Sequence, residues 1–231
     1  MVKALDSKIA KINSAKYLEV LNAEPVFAMP TYEEIQHNLF KELQEIYNWE
    51  IDEYNETQID AMCMYFSNDQ QFEKLVPGYS LQKGLLLFGP VGCGKTTLLN
   101  ILRKNTKGPF NVISCRKIAD DFATHGHAAI SGYSKLRDAN KRENLGHDIV
   151  GFCFDDLGTE TNKKNFGNEA NVMSEVILNL YDAKENIGRV HLTTNISDAD
   201  IKNNYGERVY SRLKEMVNII EFPFDAPERR K

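Results

Sequence analysis

The chain has no apolar run near the ~20 residues that a membrane-spanning helix needs. Its first ten residues, MVKALDSKIA, set Asp6 and Lys8 where a signal peptide requires an apolar stretch, so a cytoplasmic protein without a membrane segment is expected. Cysteine is scarce: Cys63, Cys93, Cys115 and Cys153 lie no closer than 22 positions apart, which fits neither a disulfide framework nor a zinc-ligand spacing. Reduced thiols are expected. Positive charge is lacking in the first third, where residues 1–80 hold six Lys and Arg against fourteen Asp and Glu. Such a segment is unsuited to gripping a phosphate backbone, because that affinity comes from cations displacing counterions. Internal repeats and low-complexity tracts are also missing.

What remains is an ordinary globular composition: 231 residues, 42% hydrophobic and 26% charged, enough for one domain with an extension or two small ones. The acidic first third reads as helical. Thr31 and Glu34 have the spacing of a capping box, and Ile35, Leu39, Leu43 and Ile46 follow as one apolar stripe. Asn55 and Gln58 signal a second helix, and Pro77-Gly78 marks the expected junction between a helical segment, 1–78, and a second domain, 79–231. The segment's acidity suits a surface for a protein partner.

From residue 81 the pattern changes. Apolar runs at 85–88, 110–114, 149–154, 190–193 and 217–222 are separated by roughly 20 to 35 residues, room for the crossover helix that joins parallel strands. An α/β fold with a five-stranded parallel sheet is predicted. Val172, Met173, Val176, Ile177, Leu180 and Tyr181 mark one crossover helix by their spacing, and they read as core.

Directly after the first run, Gly89, Pro90, Val91, Gly92, Cys93, Gly94, Lys95 and Thr96 spell G-x-x-x-x-G-K-T, followed by Thr97 and a helical stretch. The glycines let successive N–H groups turn inward around an anion, to which the new helix adds its positive end. Lys95 reaches the terminal phosphates, and the Thr96 hydroxyl is suited to hold Mg²⁺ against them. A nucleoside triphosphate with Mg²⁺ is the ligand this constellation takes.

A P-loop needs a carboxylate at the end of a neighbouring strand, and the run at 149–154 ends in Asp155 and Asp156. Asp155 is the natural Mg²⁺ ligand through water. Asp156 is placed to orient or deprotonate an attacking water, with Glu160 as its competitor. Asp155-Asp156-Leu157-Gly158 also fits the D-x-x-G of GTPases, but no N-K-x-D follows a later strand: Asn162-Lys163-Lys164-Asn165 lacks the acid and comes too early. A small-molecule kinase stays open at this point.

The run at 190–193 ends in Thr194 and Asn195, whose amide suits either a bond to the attacking water or a turn or cap. Ser197 and Asp200 form another capping box. Beyond it Val209, Leu213 and Met216 make a buried stripe beside which Arg208 and Arg212 project together. Two like charges at this spacing cost a helix ~0.2–0.5 kcal/mol, so either an anion meets them or Glu207 and Glu215 neutralise them. Lys135, Arg137, Lys141 and Arg142, with Tyr133 nearby, form either a contact for single-stranded DNA or a solvated loop. His125 and His127 have no further ligand-type residue to complete a metal site, so no metal besides Mg²⁺ is assigned.

Taken in order, GPVGCGKTT, FCFDDLG, HLTTN and YGERVYSRLKEM resemble the AAA+ ATPases of the DnaC-type helicase-loader and IstB-type transposition-helper group, over roughly residues 80–222. The resemblance implies a sheet order of 5-1-4-3-2, Asn195 in the sensor-1 position, Arg208 as the box arginine and Arg212 as the arginine finger that one protomer of a homo-oligomer lends to its neighbour. It implies ATP hydrolysis and a partner that is a replicative helicase or a transposase. Two departures stand out. Asp156 occupies a position usually held by Glu, which suggests slow hydrolysis. Nine residues follow Phe222, too few for a full helical lid; Arg229 and Arg230 read as a solvated basic tail or as a substitute for the lid's arginine. A nucleotide-gated assembly adaptor with little hydrolysis is the competing expectation.

Overall fold

A computed structural model describes residues 29–135, 137–138, 149–160, 163–165, 168–183 and 187–230. The capping box forms: Thr31 Oγ1 accepts from the Glu34 N–H, and the Glu34 carboxylate accepts from the Thr31 N–H, opening α1 (Tyr32–Tyr47). Its Ile35, Leu39 and Leu43 are buried, whereas Ile46, on the same stripe, is 66% exposed. Helix α2 (Glu56–Phe66) follows Asn55, whose side chain does not cap it. Instead Asn55 Oδ1 accepts from the Asp52 N–H and its Nδ2 donates to Glu50 O, fixing the turn between the helices. A short α3 (Phe72–Leu75) precedes the Pro77-Gly78 turn, where Gly78 takes φ +93°.

The remaining elements are β1 (Gly84–Phe88), α4 (Lys95–Leu102), β2 (Phe110–Ser114), α5 (Cys115–His125), α6 (His127–Tyr133), β3 (Arg137–Asp138), β4 (Ile149–Leu157), β5 (Lys163–Asn165), β6 (Asn168–Ala170), α7 (Val172–Ala183), β7 (Val190–Thr194), α8 (Asp198–Tyr205), α9 (Glu207–Met216) and β8 (Val217–Glu221). The sheet runs β2-β4-β7-β1-β8 with every neighbouring pair parallel, which is the expected order 5-1-4-3-2 read from the other edge. Strand β3 adds an antiparallel pairing to the start of β4, and β5 with β6 form a separate two-stranded ribbon.

An all-parallel sheet must be covered on both faces, and alternate residues of each strand serve the two layers. Leu85 and Leu87 of β1 share a cluster with Leu39 and Leu43 of α1, Met62 and Phe66 of α2, and Leu98 and Leu99 of α4. Leu86 faces the other way, into a cluster with Phe122 of α5, Met173 and Ile177 of α7, and Leu213 and Met216 of α9. The helices before Pro77-Gly78 thus form much of one of the two layers. All four cysteines are buried and free, and no helix of the described residues is long and apolar enough to cross a membrane.

Candidate nucleotide site

Between β1 and α4 the loop 89–94 closes around a buried lysine. Lys95 Nζ donates to the carbonyls of Gly89 and Pro90, each at 2.8 Å, and has only the weak acceptor Cys93 Sγ, at 3.8 Å, for its third N–H. Gly94 caps α4 with φ +103° and no side-chain bond, so the first N–H groups of the helix are left to a ligand. Gly92 and Gly94 are required for a second reason besides their positive φ: a Cβ on Gly92 would lie 2.6 Å from Glu228 Cγ, and one on Gly94 1.9 Å from the Trp49 ring.

Against this loop stands the end of β4. Its register with β7 shifts between Phe154 and Leu157, a bulge that contains both acids. Asp155 is buried, and its Oδ1 accepts from Thr96 Oγ1 and from Thr193 Oγ1, each at 2.7 Å. Asp156 takes φ +57° and its N–H donates to the same Thr193 hydroxyl at 2.8 Å. Thr193, wholly buried on β7, therefore ties the two acids together; it escaped the sequence reading, since only strand pairing brings it to them. Glu160 is withdrawn from competition with Asp156, because its carboxylate accepts from the Gly158 N–H and from the Tyr205 hydroxyl. Asn195 is exposed, and α8 is capped by Ser197 instead, so the amide is not spent as a cap.

Lys95, Thr96, Thr97, Asp156 and Asn195 all line one open cavity of ≈ 760 Å³, of a size that takes a nucleotide. Arg208 and Arg212 do not line it. Arg208 is exposed on α9, while Arg212 Nη1 donates to Asp182 Oδ1 of α7 at 3.0 Å and its guanidinium lies 4.6 Å from the centroid of Tyr181. The neutralising acid is thus Asp182, not Glu207, which stands 3.5 Å from Lys202 Nζ, or Glu215, which accepts from the Tyr181 hydroxyl.

The other cavity walls come from residues that the motifs do not cover. Arg116 near the start of α5, Ile46, Tyr47 and Trp49 at the end of α1, and Arg229 and Arg230 all contribute. The expectation of a solvated basic tail is corrected for Arg229. Its side chain is only 14% exposed, its Nη2 contacts both oxygens of Asp52 at 2.7 Å, and its guanidinium lies 5.0 Å from the centre of Trp49. Asp52 precedes Arg229 by 177 residues, a separation no local pattern reveals.

Elsewhere, Tyr133 donates to Asp121 and packs edge-on against Phe152; Lys141 and Arg142 lie outside the described residues. His125 Nδ1 sits 3.1 Å from Asp121 O, and the His127 ring meets Phe122 edge-on. Among the described residues no three His, Cys, Asp or Glu side chains cluster as a metal site.

A family model described as "ATPase family associated with various cellular activities (AAA)" matches residues 85–216, more than half of the chain. Among solved structures, one of the DnaC helicase loader is similar with a TM-score of 0.47 and 17% identity, covering 76% of this chain and 94% of that one. A DNA replication initiation factor is similar with a TM-score of 0.46 and 15% identity, covering 77% of this chain and 49% of that one, so the chain spans about half its length. No curated protein matches the sequence.

Proposed function

We propose that this chain, which belongs to the AAA family of ATPases, binds ATP with Mg²⁺ in the cavity above β1 and hydrolyses it slowly as part of a homo-oligomer. The observation that carries the reading is the bond from Thr96 Oγ1 to Asp155 Oδ1, which joins the phosphate loop to a buried acid 59 residues away beside a preset Lys95.

The residues divide the work. The N–H groups at the start of α4 and the third N–H of Lys95 receive phosphate oxygens. Thr96 and Asp155 would hold Mg²⁺, a hard cation that takes such oxygens. When bound, the cation would supply positive charge to offset the negative charge that develops on the phosphate oxygens. Asp156 accepts the proton of an attacking water, whose oxygen bonds to the γ-phosphorus as the bond to ADP breaks, and the Asn195 amide orients that water. Arg212, which does not line its own cavity, is assigned to a neighbour's γ-phosphate, where such an arginine is worth ~10³–10⁵ in rate. Arg208 supports it from the same helix.

In this reading the chain works in the cytoplasm as a helicase-loader-like or transposition-helper-like factor. Residues 1–78 dock a replicative helicase or a transposase, and single-stranded DNA meets the basic stretch from Lys135 to Arg142. This finer role rests on the order of the four motifs. Multiple-turnover phosphate release tests the reading at its base. Lys95→Ala is expected to abolish both ATP binding and turnover, and Asp155→Asn to lower turnover about ten- to a hundredfold, as loss of a metal-orienting group does. A wild-type protein that binds ATP but releases no phosphate with its partners present would favour the assembly adaptor, a reading that the short Asp156 side chain also suits.

A further inference from the structure

The segment after β8 does not leave the fold. The Phe222 N–H donates to Phe88 O at 2.8 Å, and Phe224 meets Phe88 edge-on with ring centroids 5.8 Å apart. The chain then turns at 223–226, where the Ala226 N–H donates to Pro223 O at 3.0 Å, and reaches the phosphate loop. There the Arg229 N–H donates to Gly92 O at 3.0 Å, and Glu228 occupies the space that a Cβ on Gly92 would need. On the far side of the guanidinium are Asp52, bound through both oxygens, and the Trp49 ring, which itself rests on Gly94.

Two glycines of one loop are therefore clamped from outside, one by the tail and the other by the turn after α1, and Arg229 fastens the clamps to each other. The Arg229 side chain, largely buried against Trp49, engages both Asp52 oxygens through the single atom Nη2, a charge-assisted contact that restrains the guanidinium more than a fully solvated pair would. Two buried N–H donors in this assembly, Trp49 Nε1 and Arg229 Nε, have no protein acceptor. Buried donors without acceptors are uncommon and costly, and here both belong to side chains that line the nucleotide cavity.

We infer that residues 223–230 form a strap whose anchor, Arg229, holds Trp49 and the phosphate loop in the shape that binds nucleotide, so that Arg229 and Asp52 are positioning residues for ATP. The inference deepens the ATP-binding reading above and rests on it. It also makes the turn after α1 the place where a partner docked on the first helices would change nucleotide affinity, because Trp49 and Asp52 lie between the two.

Trp49, the single tryptophan, supplies the readout. ATP titrations by calorimetry on the full chain, with Trp49 emission recorded in parallel, compare wild type, Arg229→Ala, Asp52→Ala, the exchanged pair Asp52→Arg with Arg229→Asp, and Lys95→Ala as the non-binding reference. Arg229→Ala and Asp52→Ala are expected to red-shift the emission and to weaken ATP binding at least about tenfold, while the exchanged pair regains most of both. A red-shifted Arg229→Ala protein that binds ATP within about twofold of wild type overturns the strap's role while leaving the site intact. Wild type that binds no better than Lys95→Ala overturns the ATP reading itself.

Discussion

Thr193, inside HLTTN but given no role by the sequence, ties the two acids of the site together. One hydroxyl donates to the Asp155 carboxylate and accepts from the Asp156 N–H, which leaves Asp155 Oδ2 free of protein donors among the described bonds. Thr193→Val keeps the shape and removes both bonds. It is expected to lower kcat about tenfold and to raise the Mg²⁺ concentration needed for half-maximal rate, with ATP binding in the absence of Mg²⁺ unchanged. Thr193→Ser should restore both, and a serine variant as impaired as the valine one would reduce Thr193 to packing. Two positions earlier on the same strand, His191 is buried among Tyr65, Phe66 and Phe110 and accepts from the Leu85 N–H through Nδ1. Burial, reinforced by the nearby Lys107 charge, lowers its pKa to about 3. The unfolded chain therefore binds a proton between about pH 6.5 and 3 that the folded chain refuses, so stability falls as pH falls through that window. His191→Asn keeps an acceptor near the Nδ1 position without the titration, and urea unfolding should show a flatter pH dependence between those limits than wild type. Lys95 and Asp155 were legible in the sequence because a phosphate loop is a local pattern; Thr193 and His191 were not, since their roles exist only across the pairing of β7 with β4 and β1.

At the scale of elements, the strands were legible wherever burial on both faces demands an unbroken apolar run, and four of the five runs matched their strands to within a residue at each end. The fifth ran on to Leu157 because the bulge keeps the two polar acids inside the strand, and an apolar pattern stops at the first of them. Helix α1 shows the opposite failure. Its stripe continues through Ile46, but burial depends on what stands opposite, and at its last turn the helix overhangs the cavity instead of the sheet. Asn55 was read as the start of α2 and does precede it, yet its side chain is spent on the turn that holds Trp49 and Asp52. Cap residues announce where a helix begins more dependably than they announce which bond they make.

At the scale of the molecule, the charge split becomes a division between layers among the described residues: the helices between residues 32 and 75 of the acidic stretch pack on one face of the sheet, and α9 with its two arginines belongs to the other. Arg212 is held by Asp182 and Tyr181 of its own chain and does not line the cavity, so the proposed role in hydrolysis requires a second copy and an exchange of partners. Arg212→Ala is expected to bind ATP normally and to hydrolyse little. Mixed in equal amounts with Lys95→Ala it should regain activity, since one protomer lends the arginine and the other the pocket. A mixture as inactive as its components would argue against assembly through α9. This level was the least legible in the sequence. The motifs identified the arginines, but the acid that restrains one of them sits on another helix, 30 residues away.

The left-handed backbone at Asp156 gives its side chain a reason that hydrolysis alone does not. That conformation costs an ordinary residue ~1–2 kcal/mol, and aspartate and asparagine, with their short polar side chains, are the non-glycine residues that visit it most readily. Lengthening the acid to glutamate would therefore bring it nearer to a phosphate while taxing the bulge that presents it. The reach of this acid and the path of its main chain are one compromise, and a longer acid here would have to be designed from the backbone outward.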